Sequence, residues 1–337
     1  MHASILGRML RLRIGGRSPI ATFVRLNERL WSFLPPPFTA RVSIRSYGTV
    51  LHAMARLSAI RRQNGSTYFF RNRPELELIR RLVDKKGRGS SLKISVLGCS
   101  TGAELYSIMW TIRSARPDLR VSMHAVDISR EAVEGSRQGV YSASTPQLVG
   151  GNIFERMSEE ERQQMFDREG VEVRIKSEFK EGIIWHQRDV RDQQLVNILG
   201  PQDIVVANRF LCHMDPPDAD ECLRNIARLV RPGGYLFVSG IDLDIRTKVA
   251  HDLGWEPVRE LLEEIHDGDP SLRNSWPWGY WGLEPLNKKK RGWRVHYASV
   301  FRVRVGLWLF ELLPSNLSWN PESRIDFMDL VGTLVRF

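Results

Sequence analysis

Two glycines and two acids carry the first chemical signal. In Val96-Leu97-Gly98-Cys99-Ser100-Thr101-Gly102-Ala103-Glu104-Leu105-Tyr106-Ser107 an apolar run ends on Gly98, Gly102 follows four residues later, and a helical pattern starts at Glu104. Gly98 and Gly102 permit a tight turn and a close approach of a ligand to the backbone, and the helix that follows offers its N-terminal amides. About 25 residues downstream a second strand-like run ends in Asp127. There a carboxylate can accept both hydroxyls of a ribose, by analogy with the dinucleotide fold. Turn and acid together point to a nucleoside-containing cofactor.

Three readings of the turn stay open on these residues. As Gly98-Cys99-Ser100-Thr101-Gly102 it matches the G-x-S-x-G nucleophile elbow, with Ser100 as nucleophile, although that elbow follows several earlier strands and the chain before Ile94 has a helical pattern. A dinucleotide-binding oxidoreductase calls for G-x-G-x-x-G, and Ser100 replaces the middle glycine, which leaves less room for a pyrophosphate. S-adenosylmethionine (SAM) has no phosphate to accommodate. A purely structural turn would not call for the acid at the end of the second strand.

The elements that must position these residues form a regular series. Strand-like runs cover Leu92 to Leu97, Val121 to Val126, Ile183 to His186, Ile204 to Ala207, Tyr235 to Ser239 and Val295 to Val303. Helical patterns fall between them at Glu104 to Ala115, Arg130 to Gln138, Ser158 to Phe166, Ala219 to Val230 and Val258 to Ile265. Such alternation predicts an α/β fold with a doubly wound, mostly parallel sheet, whose ligands bind beyond the carboxyl ends of the strands. Val171 to Ile184, with its charged alternation, predicts a small antiparallel insert. The front of the chain is expected to be helical, from Ser18-Pro19 to Leu34, closed by Pro35-Pro36-Pro37, then over Val50 to Arg62 and Pro74 to Val83.

Charge is unevenly placed. Residues 1–62 hold eleven arginines, no lysine and one acid, Glu28, so this front end carries the whole chain's net charge of +10. That points to a partner met by the front end, such as an acidic protein face, anionic lipid or nucleic acid, the last not expected; solvated faces of basic helices explain the pattern equally well. With 337 residues and 42% hydrophobic content the chain can bury a sizeable core. Cys99, Cys212 and Cys222 are too scattered for a disulfide framework and share no metal-like spacing with the eight histidines, so no metal is expected. No apolar run approaches the roughly 20 residues of a membrane span, and Arg8, Arg11 and Arg13 interrupt any secretory signal, so a soluble, cytoplasmic protein is expected.

Several ordered motifs between Ser66 and Gly240 resemble the CheR-type methyltransferases, which methylate glutamate side chains of bacterial chemoreceptors. Thr67-Tyr68-Phe69-Phe70-Arg71 is similar to the family's T-x-F-F-R segment, Gly98 to Ser107 to its STGEEPYS motif, and Val126-Asp127-Ile128 with Gly139-Val140-Tyr141 to its D-I-D…G-x-Y pattern. The resemblance implies a Rossmann-like class I methyltransferase sheet with SAM as cofactor; with the element series, the expected organisation is a basic helical region 1–84, a methyltransferase domain 85–303 with the insert at 171–184, and a C-terminal extension 304–337. It places Thr67 and Arg71 near the methyl donor with Gly98, Ser100 and Gly102 in the cofactor turn. Glu104 would hold the amino acid end of SAM, Asp127 the ribose, and Asp189 with Val190 the adenine. Ala207 and Asn208 fall where the family's C-R-N-V-x-I-Y-F begins to contact the cofactor. Departures start there: the Arg-Asn order is reversed as Asn208-Arg209, the tyrosine is His213, and the first glutamate of GEEP is Ala103.

These departures leave the acceptor open. Arg71 and Arg209 could hold a carboxylate by paired N–H donors, and a carboxylate needs no general base. His213 could instead take a proton from a hydroxyl or amine acceptor. O-methylation of a protein glutamate is the leading expectation, a small-molecule, lipid or polysaccharide-linked acceptor the alternative, and a non-catalytic SAM-binding signalling module a third. Trp276, Trp278, Tyr280 and Trp281 fit loop packing or a lid, and Lys288 to Arg291 a solvated loop.

Overall fold

The strand-like run over Ile204 to Ala207 is apolar enough to be covered on both faces and takes the centre of one sheet, while the run at Ile183 to His186, only partly buried, lies at its edge. The computed structural model of the chain describes residues 19–33, 42–63, 65–142 and 152–303. The N-cap expected at Ser18, the prolines 35–37, the front arginines 8–17 and the extension 304–337 lie outside the described residues, as does the whole of the second unit, Val305–Phe337.

Three helices open the described chain: α1 (Pro19–Ser32), α2 (Val42–Ser58) and α3 (Arg73–Asp84). Then follow β1 (Ser91–Leu97), α4 (Ala103–Ala115), β2 (Arg120–Asp127), α5 (Arg130–Gln138) and β3 (Val140–Ser142). Next come α6 (Glu159–Met165), β4 (Phe166–Glu169), β5 (Glu172–Ile175), β6 (Ile183–Gln187) and α7 (Leu195–Leu199). The chain continues through β7 (Gln202–Asn208), α8 (Pro216–Ala227), β8 (Val230–Ser239) and α9 (Leu243–Asp252). It closes with β9 (Glu256–Pro257), α10 (Leu262–Asp267), α11 (Pro270–Arg273), α12 (Trp293–Tyr297) and β10 (Val300–Arg302).

The main sheet runs β6-β2-β1-β7-β8-β10-β9, with β6, β2, β1, β7 and β8 parallel and β10 antiparallel to β8 and β9. This is the expected doubly wound, mostly parallel sheet, with an antiparallel strand inserted near one edge. β7, at the centre, is buried at every position. Ile204 and Val206 pack into the core under α3 and α4, while Val205 and Ala207 pack into the core under α8 and α9. A period of two sends alternate side chains to opposite layers. The order reverses between β1 and β7, and that switch point locates the cleft.

Local chemistry sets the helix ends. The Asn72 side chain caps α3 and Pro74 sits in its first turn; Ser129 caps α5, and Gly139, at φ +59°, ends it.

Several expectations need correction: the helix expected over Val50 to Arg62 is α2, Val42–Ser58, and the one expected over Val258 to Ile265 is α10, Leu262–Asp267. The insert is a three-stranded sheet in the order β3-β5-β4, drawing on residues both before and after 171, and Ile183 and Ile184 belong to the main sheet, paired with Met123 and His124. The helix expected to reach Phe166 ends at Met165, because Phe166 enters an aromatic cluster with Phe69, Tyr141 and Phe154, ring centroids 5.2–6.1 Å apart. The single strand expected over Val295 to Val303 is divided. Gly292, at φ +71°, starts α12, which buries His296 and Tyr297 against Glu284, and only Val300–Arg302 pairs in the sheet.

Candidate cofactor and acceptor cleft

Above the carboxyl ends of β1, β2, β6 and β7 lies a cleft of about 930 Å³. That is near the upper end of ligand sites, with room for a nucleoside cofactor and part of a second reactant. Of the predicted site residues, all but Gly102 and Ala207 line it.

Gly98, at φ +67°, turns the chain out of β1; a Cβ there would meet Phe210 Cδ1 at 2.8 Å, so the close packing of the turn requires glycine. The N–H groups of Gly98 and Cys99 both donate to the Val126 carbonyl, locking the turn to β2. Asp127 closes the cradle: its Oδ2 accepts the Ser100 N–H at 2.8 Å and its Oδ1 the Ser129 N–H at 2.9 Å. Each oxygen retains acceptor capacity for a ligand hydroxyl. Ser100 donates its hydroxyl to the Gly65 carbonyl at 2.6 Å, and its own carbonyl accepts from Ser136. A hydroxyl committed to a carbonyl, with no base bonded to it, is a tie between the front segment and the turn, and the elbow reading has no support. Asp189 pairs with Arg191 at 2.6 Å, which holds its carboxyl below the usual range, and Val190 adds an apolar wall.

The two predicted residues that miss the cleft do so for geometric reasons. Ala207 is one residue out of phase on β7 and points into the α8–α9 core, so Asn208 alone faces the cleft. Gly102, at φ +86°, starts α4, and a Cβ on it would press Tyr106 and Ser136 in the interior.

The other half of the cleft is rich in charge. Asn208 Nδ2 donates to Glu104 Oε1 at 2.7 Å and to Glu75 Oε1 at 2.6 Å. Arg71, 6% exposed, gives one guanidinium nitrogen to the Ser66 carbonyl at 2.6 Å and leaves its Nε without a partner. Arg209, in the left-handed region at φ +67°, leaves Nη1 without a hydrogen bond, 3.9 Å from Asp269 Oδ2. Burial, with Arg71 nearby, lowers the pKa of Arg209. Burial also works against the charge of Asp269, but Arg209 and Arg71 outweigh it and hold its pKa below the ordinary value. Arg156, stacked 4.6 Å over the Tyr68 ring, pairs with Asp269 at 3.1 Å.

His213 lies 2.8 Å from the Tyr280 hydroxyl through Nδ1. Burial, then Arg209 and Arg61, push its pKa down to about 4, so the imidazole is neutral at pH 7 and a weak proton acceptor. Tyr280 ties the aromatic segment to this site, and Trp276 and Trp278 pack edge-on against Trp31 of α1.

The front helices are docked on the same loops. Arg61 donates to the Cys212 and Met214 carbonyls at 3.0 Å and pairs with buried Asp242 at 2.9 Å, a carboxylate it shares with Arg56. Two of the eleven front arginines are thus spent inside the protein.

Sequence reasoning passed over Glu75, Asp269, Arg156 and Arg61. Glu75 left a signal, an acid in helical register with Ile79 and Leu82 on the buried face of α3. Asp269 left none, because it reaches Arg209 from 60 residues away in sequence.

The family model of the CheR methyltransferase, SAM binding domain, matches residues 65–243, just over half of the chain. The chain belongs to the CheR methyltransferase family. Its CheR domain is a SAM-dependent methyltransferase domain. Thr67 and Arg71 lie inside the match and in the cleft, so the site draws on both sides of the boundary expected at residues 84 and 85.

The CheR chain is 27% identical over 177 residues to the probable biofilm formation methyltransferase WspC of Pseudomonas aeruginosa, covering 51% of this chain and 40% of that protein. It is 26% identical over 178 residues to the chemotaxis protein methyltransferase of Salmonella typhimurium, covering 51% and 58%. The chain thus spans well under two thirds of the length of these relatives. Among solved structures, the SAM-bound magnesium protoporphyrin IX methyltransferase ChlM of Synechocystis PCC 6803 is 14% identical, with a TM-score of 0.34 over 64% of this chain and 86% of that one. Among the described residues of this CheR protein, no helix is long and apolar enough to cross a membrane.

The cleft fits SAM on its own geometry: a turn that only glycine can make, Asp127 with acceptor capacity left over, and Glu104 at the start of α4.

Proposed function

We propose that this CheR-family protein moves the methyl group of SAM onto a carboxylate, and that the carboxylate is a glutamate side chain of a protein. The observation that carries the reading is the pair of buried guanidinium groups, Arg71 and Arg209, each with an N–H left without a partner and both lining the cleft beside Glu104. A buried donor without a partner costs about 1–3 kcal/mol, and an incoming carboxylate removes that cost at both sites. Three guanidiniums, of Arg71, Arg156 and Arg209, face Asp269, so an anion also improves the charge balance.

Bound SAM supplies an electrophilic methyl group on a sulfonium sulfur. The chain's residues do the rest by alignment. In this reading Asp127 takes the ribose hydroxyls over the Gly98–Gly102 turn, and Asp189 with Val190 flanks the adenine. Glu104, steadied by Asn208, takes the amino acid end, and Thr67 stands near the donor. Arg71 and Arg209 aim a carboxylate that is already ionised near neutral pH, so no proton need be removed. A base with the low pKa of His213 is not called for; His213, held by Tyr280, is a wall of the acceptor site. Relatives named chemotaxis protein methyltransferases support a protein acceptor. Residues 85–303, with Thr67 and Arg71, serve as the catalytic body, and the remaining arginines of residues 1–62 serve for docking an acidic protein surface or anionic membrane. Three unpaired cysteines, all buried, fit a cytoplasmic setting.

The test is Arg71→Ala. Transfer to protein acceptors should fall about 100-fold or more while SAM affinity changes by less than about fivefold. Full transfer by a variant that still binds SAM overturns the carboxylate reading. Incubation with labelled SAM and lysate fractions separates acceptors: label in a protein band supports a protein, label in small organic products the alternative acceptor, and binding without transfer a non-catalytic module.

A further inference from the structure

Glu75 is an acid on the apolar face of its helix. α3 turns Leu78, Ile79, Leu82 and Val83 inward, and Glu75 stands in register with them, 4% exposed. Its carboxyl meets the Asn208 side chain, whose amide nitrogen also serves Glu104. Asn208 is not free to turn, since the Ser239 hydroxyl donates to its Oδ1 at 2.8 Å. One amide with two N–H groups therefore holds two carboxyl groups, Glu104 lining the cleft and Glu75 sealed behind it. The charged or titratable groups facing Glu75 are Glu104 on α4, Asp269 before α11, and Arg71 before α3.

We propose that Glu75 is a positioning residue for the amino group of SAM, acting through Asn208 on Glu104, and that it releases a proton to solvent when that group binds. The proposal rests on Glu104 as the holder of the amino acid end. Two acids behind one amide repel each other when both are charged, and the sealed one is the one that desolvation keeps neutral. Burial first, then Glu104, push the Glu75 pKa up to about 8, against Asn208 and Arg71. At pH 7 Glu75 therefore carries a proton in the free protein. An ammonium group set against Glu104 cancels that repulsion and adds a positive charge near Glu75. The O–H bond of Glu75 then breaks, the electron pair stays on the carboxylate, and the proton leaves to the buffer. The new carboxylate accepts more strongly from Asn208, which stiffens the hold on Glu104.

Calorimetric titration of the full chain with SAM, in pairs of buffers with different protonation enthalpies from pH 6 to 9, counts the protons. The α-amino group of the ligand, with an ordinary pKa of about 7.7–8.0, takes up protons in the same range and does so alike for wild type and Glu75→Gln. Wild type should release close to one proton more than Glu75→Gln per SAM bound near pH 7, with the difference fading above pH 9. Between pH 6 and 8 wild-type affinity should gain about 30-fold on that of the variant. Equal proton counts for two proteins that both bind SAM overturn the proposal. Should Glu75→Gln not fold, wild type alone decides: net release near pH 7 supports the proposal, and zero release or net uptake overturns it. Failure of wild type to bind SAM at any pH overturns the cofactor site, and the proposal with it.

Discussion

On the β1–β2 side of the cleft, Asp127, Ser100 and the glycine turn are tied to one another by short hydrogen bonds, whereas on the β7 side Arg71 and Arg209 each keep a guanidinium nitrogen without a partner. The first half is a cradle whose shape is held by the chain's own bonds, so little has to be ordered when a cofactor arrives. The second half sets three guanidiniums around Asp269, and in the proposed reading an anionic acceptor completes it. Preorganised binding and deferred satisfaction thus sit side by side in one cleft, and the halves should respond differently to substitution.

The largest effect is expected at the cradle. Gly98→Ala places a Cβ against Phe210 at a left-handed position, and should cost about 2–3 kcal/mol of stability in denaturant unfolding, with SAM affinity down about 100-fold by calorimetry. Wild-type affinity in this variant would break the assignment of the turn. Next, Arg209→Lys retains the charge but loses the fork, and transfer should fall about 30-fold while SAM affinity stays within about threefold. Equal losses in both would erase the division between the halves. Asp127→Asn should weaken SAM binding about tenfold and leave the acceptor KM alone, since an amide loses one acceptor for the ribose and can accept from only one of the Ser100 and Ser129 N–H groups, all on the cofactor side of the cleft.

The smallest effect belongs to His213. Its folded pKa of about 4 lies below the unfolded value near 6.5, so the unfolded chain binds more protons between these pH values and wild type loses stability as pH falls through that window. His213→Gln should remove about 1–3 kcal/mol of that acid sensitivity in unfolding measured at pH 4.5 and 7.5. Its turnover profile should keep the wild-type shape from pH 6.5 to 8.5; a lost ionisation there would restore a base at this position.

Much of the cleft was legible because its signals are short and contiguous. Gly98 to Glu104 is an unbroken run and Asp127 stands at the end of an apolar strand, so spacing locates them, while the contiguous run Thr67 to Arg71 is located by the family resemblance. Errors arose where a short segment fits two periods. Val295 to Val303 alternates like a strand, yet a left-handed Gly292 and the buried contacts of His296 and Tyr297 with Glu284 bend its first part into α12. Phe166 reads as the end of a helix until Phe69, Tyr141 and Phe154 surround it.

Chain period, caps and ordered motifs determine the doubly wound sheet, the switch point and the cofactor turn, since each depends on neighbours within a few residues along the chain. Only the folded structure decides that Asn208 bridges Glu75 and Glu104, that Asp269 stands among Arg71, Arg156 and Arg209, and that His213 is held neutral. Desolvation and charge pairing depend on which groups meet in space, and those partners come from stretches of chain that carry no common pattern.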